Sequence, residues 1–159
     1  MTSGEEHRYH QGLVAHWVAY TPLIFFIILL GGVFLHIYVP VQFVPMLPGL
    51  ITGVGILLVS PILVIKAQQA RKTLYVPVEQ RTCDFDVGPY KMSRHPSYLG
   101  MFFMLFGFAF LINSLPMLLM TLALGPIFTF ILIPQEEAML EHMCGDVYRN
   151  YKQRVRMWL

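Results

Sequence analysis

Two long segments of the chain carry no charged side chain. After Arg8 the next Lys, Arg, Asp or Glu is Lys66, so residues 9–65 form one uncharged run, and a second extends from His95 to Gln135. A helix needs about 20 residues, at 1.5 Å each, to cross the ~30 Å hydrocarbon core of a bilayer. The first run therefore holds two helices with a connection, and the second holds two shorter helices joined by a tight turn. Punctuation sets their limits, because proline suits a helix start and clusters of Gly, Asn and Pro mark turns. The predicted spans are 22–39, 48–66, 96–113 and 116–134, with Pro126 as a kink in the last. Beyond Gln135, the residues Met139, Leu140, Met143, Val147 and Tyr151 recur at helical spacing and predict an amphipathic tail. The expected fold is a single all-α integral membrane domain over 1–159, with four transmembrane helices and polar segments at 67–95 and 135–159.

Composition agrees. Of 159 residues, 56% are hydrophobic and 13% charged, against about 25% charged in soluble domains, and the mean hydropathy is +0.59. These values exclude an ordinary soluble domain, a disordered chain and a disulfide-rich mini-protein. The basic residues fall in three places: Arg8 near the start, Lys66 to Arg94 between the second and third spans, and Arg149 to Arg156 in the tail. Positive loops stay cytoplasmic, so four spans put both termini and both polar segments on the cytoplasmic side. No basic leader with a short apolar run and a small-residue cleavage site is present, and the first span is read as an anchor. A net charge of +2 without a dense basic stripe predicts membrane-lipid headgroups as neighbours and no nucleic-acid partner. Cys83 and Cys144 both fall on the cytoplasmic side, where a structural disulfide is not expected, and are read as two ordinary thiols. Neither belongs to a set with metal-ligand spacing, so no metal site is expected. His36 is read as an interfacial polar group that finds a partner.

Candidate chemistry concentrates in the second half. Gly88-Pro89-Tyr90 turns into Lys91-Met92-Ser93-Arg94-His95-Pro96-Ser97-Tyr98-Leu99-Gly100, the start of the third span. His95 and Tyr98, three apart at a helix start, can share one face, where free N–H groups and the positive end of the helix dipole favour an anion. The same segment also suits a plain interfacial anchor. Glu136 and Glu137 abut the fourth span, where an unpaired carboxylate is costly, so at least one should meet a cation, with Arg94 and Arg154 as candidates.

Together these segments resemble the isoprenylcysteine carboxyl methyltransferase family of integral membrane enzymes. The residues that carry the resemblance are Gly88, Tyr90, Arg94, His95, Pro96, Tyr98 and Gly100, then Glu136 and Glu137, then Gly145, Tyr148, Tyr151, Arg154 and Val155. The resemblance implies S-adenosyl-L-methionine as methyl donor, a tail that closes over it as a lid, and an acceptor that arrives laterally from the membrane. It implies donor contacts at Tyr90, His95, Tyr98, Leu99, Glu136, Glu137, Tyr148, Tyr151 and Arg154, and catalytic roles for Arg94, Glu137 and Arg154. The expected acceptor is amphipathic or lipid-linked, a small molecule or peptide, with a carboxylate as the first choice of methylated group. No Gly-x-Gly-x-x-Gly follows a strand, so helices and loops would have to build the donor site.

Two other readings remain open. Membrane NADPH-dependent sterol and steroid reductases carry a related Arg-His-Pro-x-Tyr segment, and a non-enzymatic membrane scaffold would need none of these residues. Gly49 and Gly53 form a small-xxx-small pair that predicts close helix packing within the bundle, or a homodimer.

Overall fold

The computed structural model describes residues 3–74, 83 and 85–159, with side chains placed at 20–70, at 83 and from 85 onward. Among the basic residues used for orientation, Arg81 lies outside the described residues, as do the side chains of Arg8, Arg71 and Lys72. The described chain is all helical: α1 (Ser3–Tyr38), α2 (Met46–Leu74), a 3-10 turn (Gly88–Lys91), α3 (Pro96–Leu111), α4 (Leu115–Ile127), a π-helical turn (Phe128–Leu132), α5 (Ile133–Cys144) and α6 (Asp146–Arg154).

Among the described residues, three stretches are long and apolar enough to cross a membrane: Tyr20–Tyr38, Met46–Ala70 and Leu115–Cys144. The fourth predicted span, α3, has 16 residues, about 24 Å, which is shorter than the hydrocarbon core. Many large apolar side chains face outward. Ile37, Leu58 and Phe130 are 69%, 69% and 77% exposed, which suits acyl chains and not water.

Two limits differ from the sequence expectation. Pro22 lies inside α1, not at its start, because one missing N–H does not end a helix that continues on both sides. Pro134 likewise does not end the fourth helix, which runs unbroken through α4, the π turn and α5. The wider turn sends the Ile133 N–H to the Phe128 carbonyl, five residues back, and carries the chain past Pro134, which has no N–H to give. Glu136 and Glu137 therefore sit on this long helix, one turn beyond the predicted limit.

Glycines decide the α2–α3 contact. A Cβ on Gly53 would stand 2.6 Å from the Leu111 backbone nitrogen, and one on Gly100 would stand 2.6 Å from Val64 Cγ2. The Gly49–Gly53 surface is thus covered by α3 of the same chain. At the far end, Asn113 caps the bundle: its Oδ1 accepts from the Phe43 and Val44 N–H groups at 3.2 Å, and its Nδ2 donates to the Val44 carbonyl at 2.7 Å. His36 Nδ1 is buried and makes no hydrogen bond within the described residues.

Two apolar cores result. One lies within the bundle, where Phe25 and Tyr98 pack edge-on against Phe128 and Phe25 also packs against Phe102. The other joins Phe85, Tyr90, Leu140, Tyr148, Tyr151 and Val155 beneath α6. The polar site lies where the two meet.

Candidate active site

Pro96 occupies the first turn of α3, where its missing N–H is harmless, and His95 is the residue that precedes the helix. The Ser93 hydroxyl accepts from the His95 N–H at 3.2 Å and donates to the Met157 carbonyl at 3.0 Å. The Arg94 N–H donates to the Arg156 carbonyl at 3.0 Å. These bonds fasten the end of the chain along the entrance to α3 and fix where Arg94 and His95 point. The rings of His95 and Tyr98 stack with centroids 5.5 Å apart and planes 2° from parallel, as their three-residue separation predicts.

Both rings meet the carboxylates of α5. The Tyr98 hydroxyl donates to Glu136 Oε2 at 2.7 Å. His95 stands between the acids, with Nε2 3.2 Å from Glu137 Oε1 and Nδ1 3.6 Å from Glu136 Oε2. Glu137, 3% exposed, also faces Arg94 Nη1 at 2.9 Å and Lys152 Nζ at 3.0 Å. A carboxylate this deeply buried needs such partners, since an isolated buried charge is strongly unfavourable. Lys152 also donates to Glu141 at 2.7 Å, and this bond raises its pKa above the ordinary lysine value.

Two buried donors beside the acids are left over. Arg94 is nine-tenths buried, and its Nε and Nη1 make no hydrogen bond among the described residues: the approach of Nη1 to Glu137 has ion-pair distance without hydrogen-bond direction. The Ser97 hydroxyl, also buried, has no hydrogen-bond partner among the described residues either. Most buried polar groups in folded proteins are hydrogen-bonded, so orphaned donors that line a cleft mark a place for an acceptor.

Aromatic rings complete the cleft. Gly145, at φ 53 and ψ −130, turns the chain from α5 into α6 through a backbone region that side chains disfavour. The turn lays Tyr148 and Tyr151 over the acids. Phe85 stacks on Tyr151 at 5.0 Å and meets Tyr148 edge-on at 5.1 Å, while the Tyr151 hydroxyl donates to the Tyr90 carbonyl at 2.7 Å. Burial raises the pKa of both phenols, with the Glu137 charge adding to the effect on Tyr148. The free space in the cleft is only about 20 Å³, room for roughly one water.

Of the residues singled out by sequence, Tyr90, Arg94, His95, Tyr98, Glu136, Tyr148 and Tyr151 line this cleft, and Glu137 contacts Arg94, His95 and Lys152 beside it. Leu99 does not line it. One residue past Tyr98 is about 100° around a helix, and Leu99 faces an apolar groove between α3 and α4 that it shares with Phe103 and Trp158. Arg154 is also elsewhere: it is the last residue of α6, 63% exposed, and pairs with Asp86 at 3.3 Å. The tail cation that reaches Glu137 is Lys152, which sequence reasoning missed although it stands four residues after Tyr148, on the same helix face. Ser97 and Phe85 were missed too. The thiol reading of Cys83 and Cys144 is overturned: the two form a disulfide, with Cα atoms 6.0 Å apart. A 61-residue separation gives no local sign of such pairing.

No curated protein and no solved structure matches the chain. A family model described as phospholipid methyltransferase matches residues 47–147, from the first turn of α2 to the first turn of α6. Arg94, His95, Ser97, Tyr98, Glu136 and Glu137 all lie within the match, and Tyr148, Tyr151 and Lys152 follow it. With well over half of its length matched, the chain belongs to the phospholipid methyltransferase family, membrane methyltransferases related to the isoprenylcysteine carboxyl methyltransferases.

Proposed function

We propose that this protein transfers a methyl group from S-adenosyl-L-methionine to an amphipathic or lipidic acceptor at the membrane surface. The observation that carries the reading is the opposition, in and beside one aromatic cleft, of the Arg94 and Ser97 donors, which lack hydrogen bonds among the described residues, to Glu136 in the cleft and Glu137 next to it. The donor molecule is a zwitterion with a sulfonium, and its complement is a cation, a carboxylate and ring faces. Arg94 and Ser97 suit its carboxylate, Glu137 or Glu136 its ammonium, and Phe85, Tyr90, Tyr98, Tyr148 and Tyr151 its adenine and sulfonium.

When bound, S-adenosyl-L-methionine supplies an electrophilic methyl group. The residues of the chain bind, orient and exclude water. Positioning of this kind can supply a large part of the catalysis of an in-line displacement. An anionic acceptor, with a carboxylate as the first choice, needs no base. An amine acceptor must lose a proton, and His95 between its two carboxylates is the group placed to receive it. The family's phospholipid description supports an acceptor drawn from the bilayer. On this reading α3 is a short fourth span beside α2, and the site and both termini share the cytoplasmic side with the basic residues.

The test is thermal stabilisation of the detergent-solubilised protein. S-adenosylhomocysteine should raise the melting temperature and NADPH should not; the reverse result selects a reductase, and no shift with either selects a scaffold. Radiolabelled methyl transfer into vesicles containing phosphatidylethanolamine, or into a prenylated carboxylic acid, then identifies the methylated group.

A further inference from the structure

We propose that the Cys83–Cys144 disulfide is a redox strap that locks the candidate site shut, and that its reduction allows the site to open. The part of this proposal that concerns donor binding rests on the function proposed above. Three observations carry it.

First, the cleft is narrow. About 20 Å³ admits a water, while ligand pockets measure about 300–1,000 Å³, so one wall must move before a nucleoside-sized ligand binds. Second, one wall belongs to a core of its own. Arg94, His95 and Tyr98 begin α3 and the two acids lie on the long helix, all held by the bundle core. Phe85, Tyr148 and Tyr151 instead belong to the separate core under α6, against which Cys83 and Cys144 pack. Third, the bridge spans the parts that would separate. Cys144 is the last residue of α5, directly before the Gly145 turn on which α6 would swing, and Cys83 lies two residues from Phe85, which clamps Tyr148 and Tyr151. Cys83 is itself held at φ 45, a conformation that residues other than glycine seldom adopt.

With the bond intact, the Phe85 segment is fastened to the end of α5 and α6 cannot turn outward. With it cut, Phe85 and α6 can shift together, between the Gly145 turn and the Arg156 and Met157 carbonyls that stay bonded to Arg94 and Ser93. Both cysteines are partly exposed and so within reach of a reagent. A dithiol supplies two electrons and two protons, leaves Cys83 and Cys144 as thiols and becomes a disulfide; a low-molecular-weight disulfide reverses the step by the same exchange. On the cytoplasmic side, disulfides are characteristically transient and redox-sensing.

The experiment uses the full chain in nanodiscs, poised with oxidised or reduced glutathione, with the bridge followed by peptide mapping. Reduction should speed hydrogen exchange over 146–155 and strengthen S-adenosylhomocysteine binding about tenfold, within the range usual for a coupled equilibrium. A Cys83→Ser/Cys144→Ser variant should behave as the reduced protein in both buffers. Failure of the bridge to form, redox-independent exchange, tighter binding by the oxidised form, or a double variant that still responds would each overturn the strap. A redox-dependent exchange rate with no S-adenosylhomocysteine binding in either state would uphold the strap and remove the methyl-donor reading.

Discussion

The Tyr98 hydroxyl donates a 2.7 Å hydrogen bond to Glu136 across 38 residues of sequence. One residue further along α5, Glu137 takes contacts from Arg94, His95 and Lys152. Adjacent acids on one helix therefore have different surroundings: Glu136 meets the Tyr98 hydroxyl and one edge of His95, while Glu137 meets Arg94, Lys152 and the other edge of His95. Glu137 holds the more positive surroundings, while Glu136 faces the cleft directly beside Tyr98.

This asymmetry predicts different consequences for the two amides. Glu136→Gln keeps an oxygen for Tyr98 but removes a charge from the cleft. It should weaken S-adenosylhomocysteine binding by roughly 10-fold to 100-fold, the equivalent of about 1.5–3 kcal/mol for one charge-assisted hydrogen bond, with little change in melting temperature. Glu137→Gln leaves Arg94 buried beside a neutral group and should lower the melting temperature as well. Calorimetric titration and thermal scans of both variants check this; equal effects on binding and melting would remove the division of labour.

Lys152 and Arg154 should separate in the same assay. Arg154→Ala removes an exposed pair with Asp86, worth about 0–1 kcal/mol, and should leave ligand affinity within about threefold of the parent. Lys152→Ala removes a cation from Glu137 and should change affinity more. A large loss with Arg154→Ala and none with Lys152→Ala would contradict the observed placement.

The shifts at Tyr148, Tyr151 and Lys152 set a pH dependence. All three have folded pKa values raised above their ordinary values, the tyrosines chiefly by burial and the lysine chiefly by Glu141. A raised folded pKa contributes stability that is present in full below the unfolded value, about 10, and is lost as pH rises above it. These residues should therefore leave stability unchanged between pH 7 and 9 and lower it above about pH 10. Ultraviolet titration should show two of the phenols ionising only as the fold is lost.

Much of this arrangement is visible in the residues. The uncharged runs located the helices because each apolar stretch must be matched to the bilayer, and the His95–Tyr98 spacing put both rings on one face because α3 starts at Pro96. The pairing of Arg94 with a glutamate followed from the cost of leaving a carboxylate alone beside an apolar span. What sequence could not show depends on register and on distant contacts. The π turn that carries the helix through Pro134 is set by which carbonyl Ile133 reaches. Lys152 and Arg154 are two residues apart on nearly opposite helix faces, and only the direction of α6 decides which one meets Glu137. The Cys83–Cys144 bond depends on the fold of the intervening segment.

Helix packing offers a test independent of chemistry. A methyl at Gly53 would meet the backbone of Leu111 and Gly107 at 2.6–2.9 Å, where no rotamer can yield, whereas a methyl at Gly55 meets nothing within 4 Å. Gly53→Ala should destabilise the bundle by about 1–3 kcal/mol, and Gly55→Ala should be neutral or slightly stabilising through helix propensity. Equal melting temperatures for the two would mean that α3 does not seat against α2 in this register.

The end of the chain supplies the last test. Arg156 and Met157 give their carbonyls to the Arg94 N–H and the Ser93 hydroxyl, and Trp158 packs edge-on against Phe102 at 5.9 Å. Removal of residues 156–159 leaves every helix intact but releases the segment that aims Arg94 and His95. The truncated protein should insert normally and keep the parental helical content by circular dichroism. Its methyl transfer should fall at least about 100-fold, because small displacements of positioned groups have effects of that size. Restoring the backbone with four alanines should recover part of the activity, since two of the three contacts are made by main-chain carbonyls. Should the truncated protein turn over at the parental rate, the tail is an anchor to the membrane surface and Arg94 is positioned by Glu137 alone.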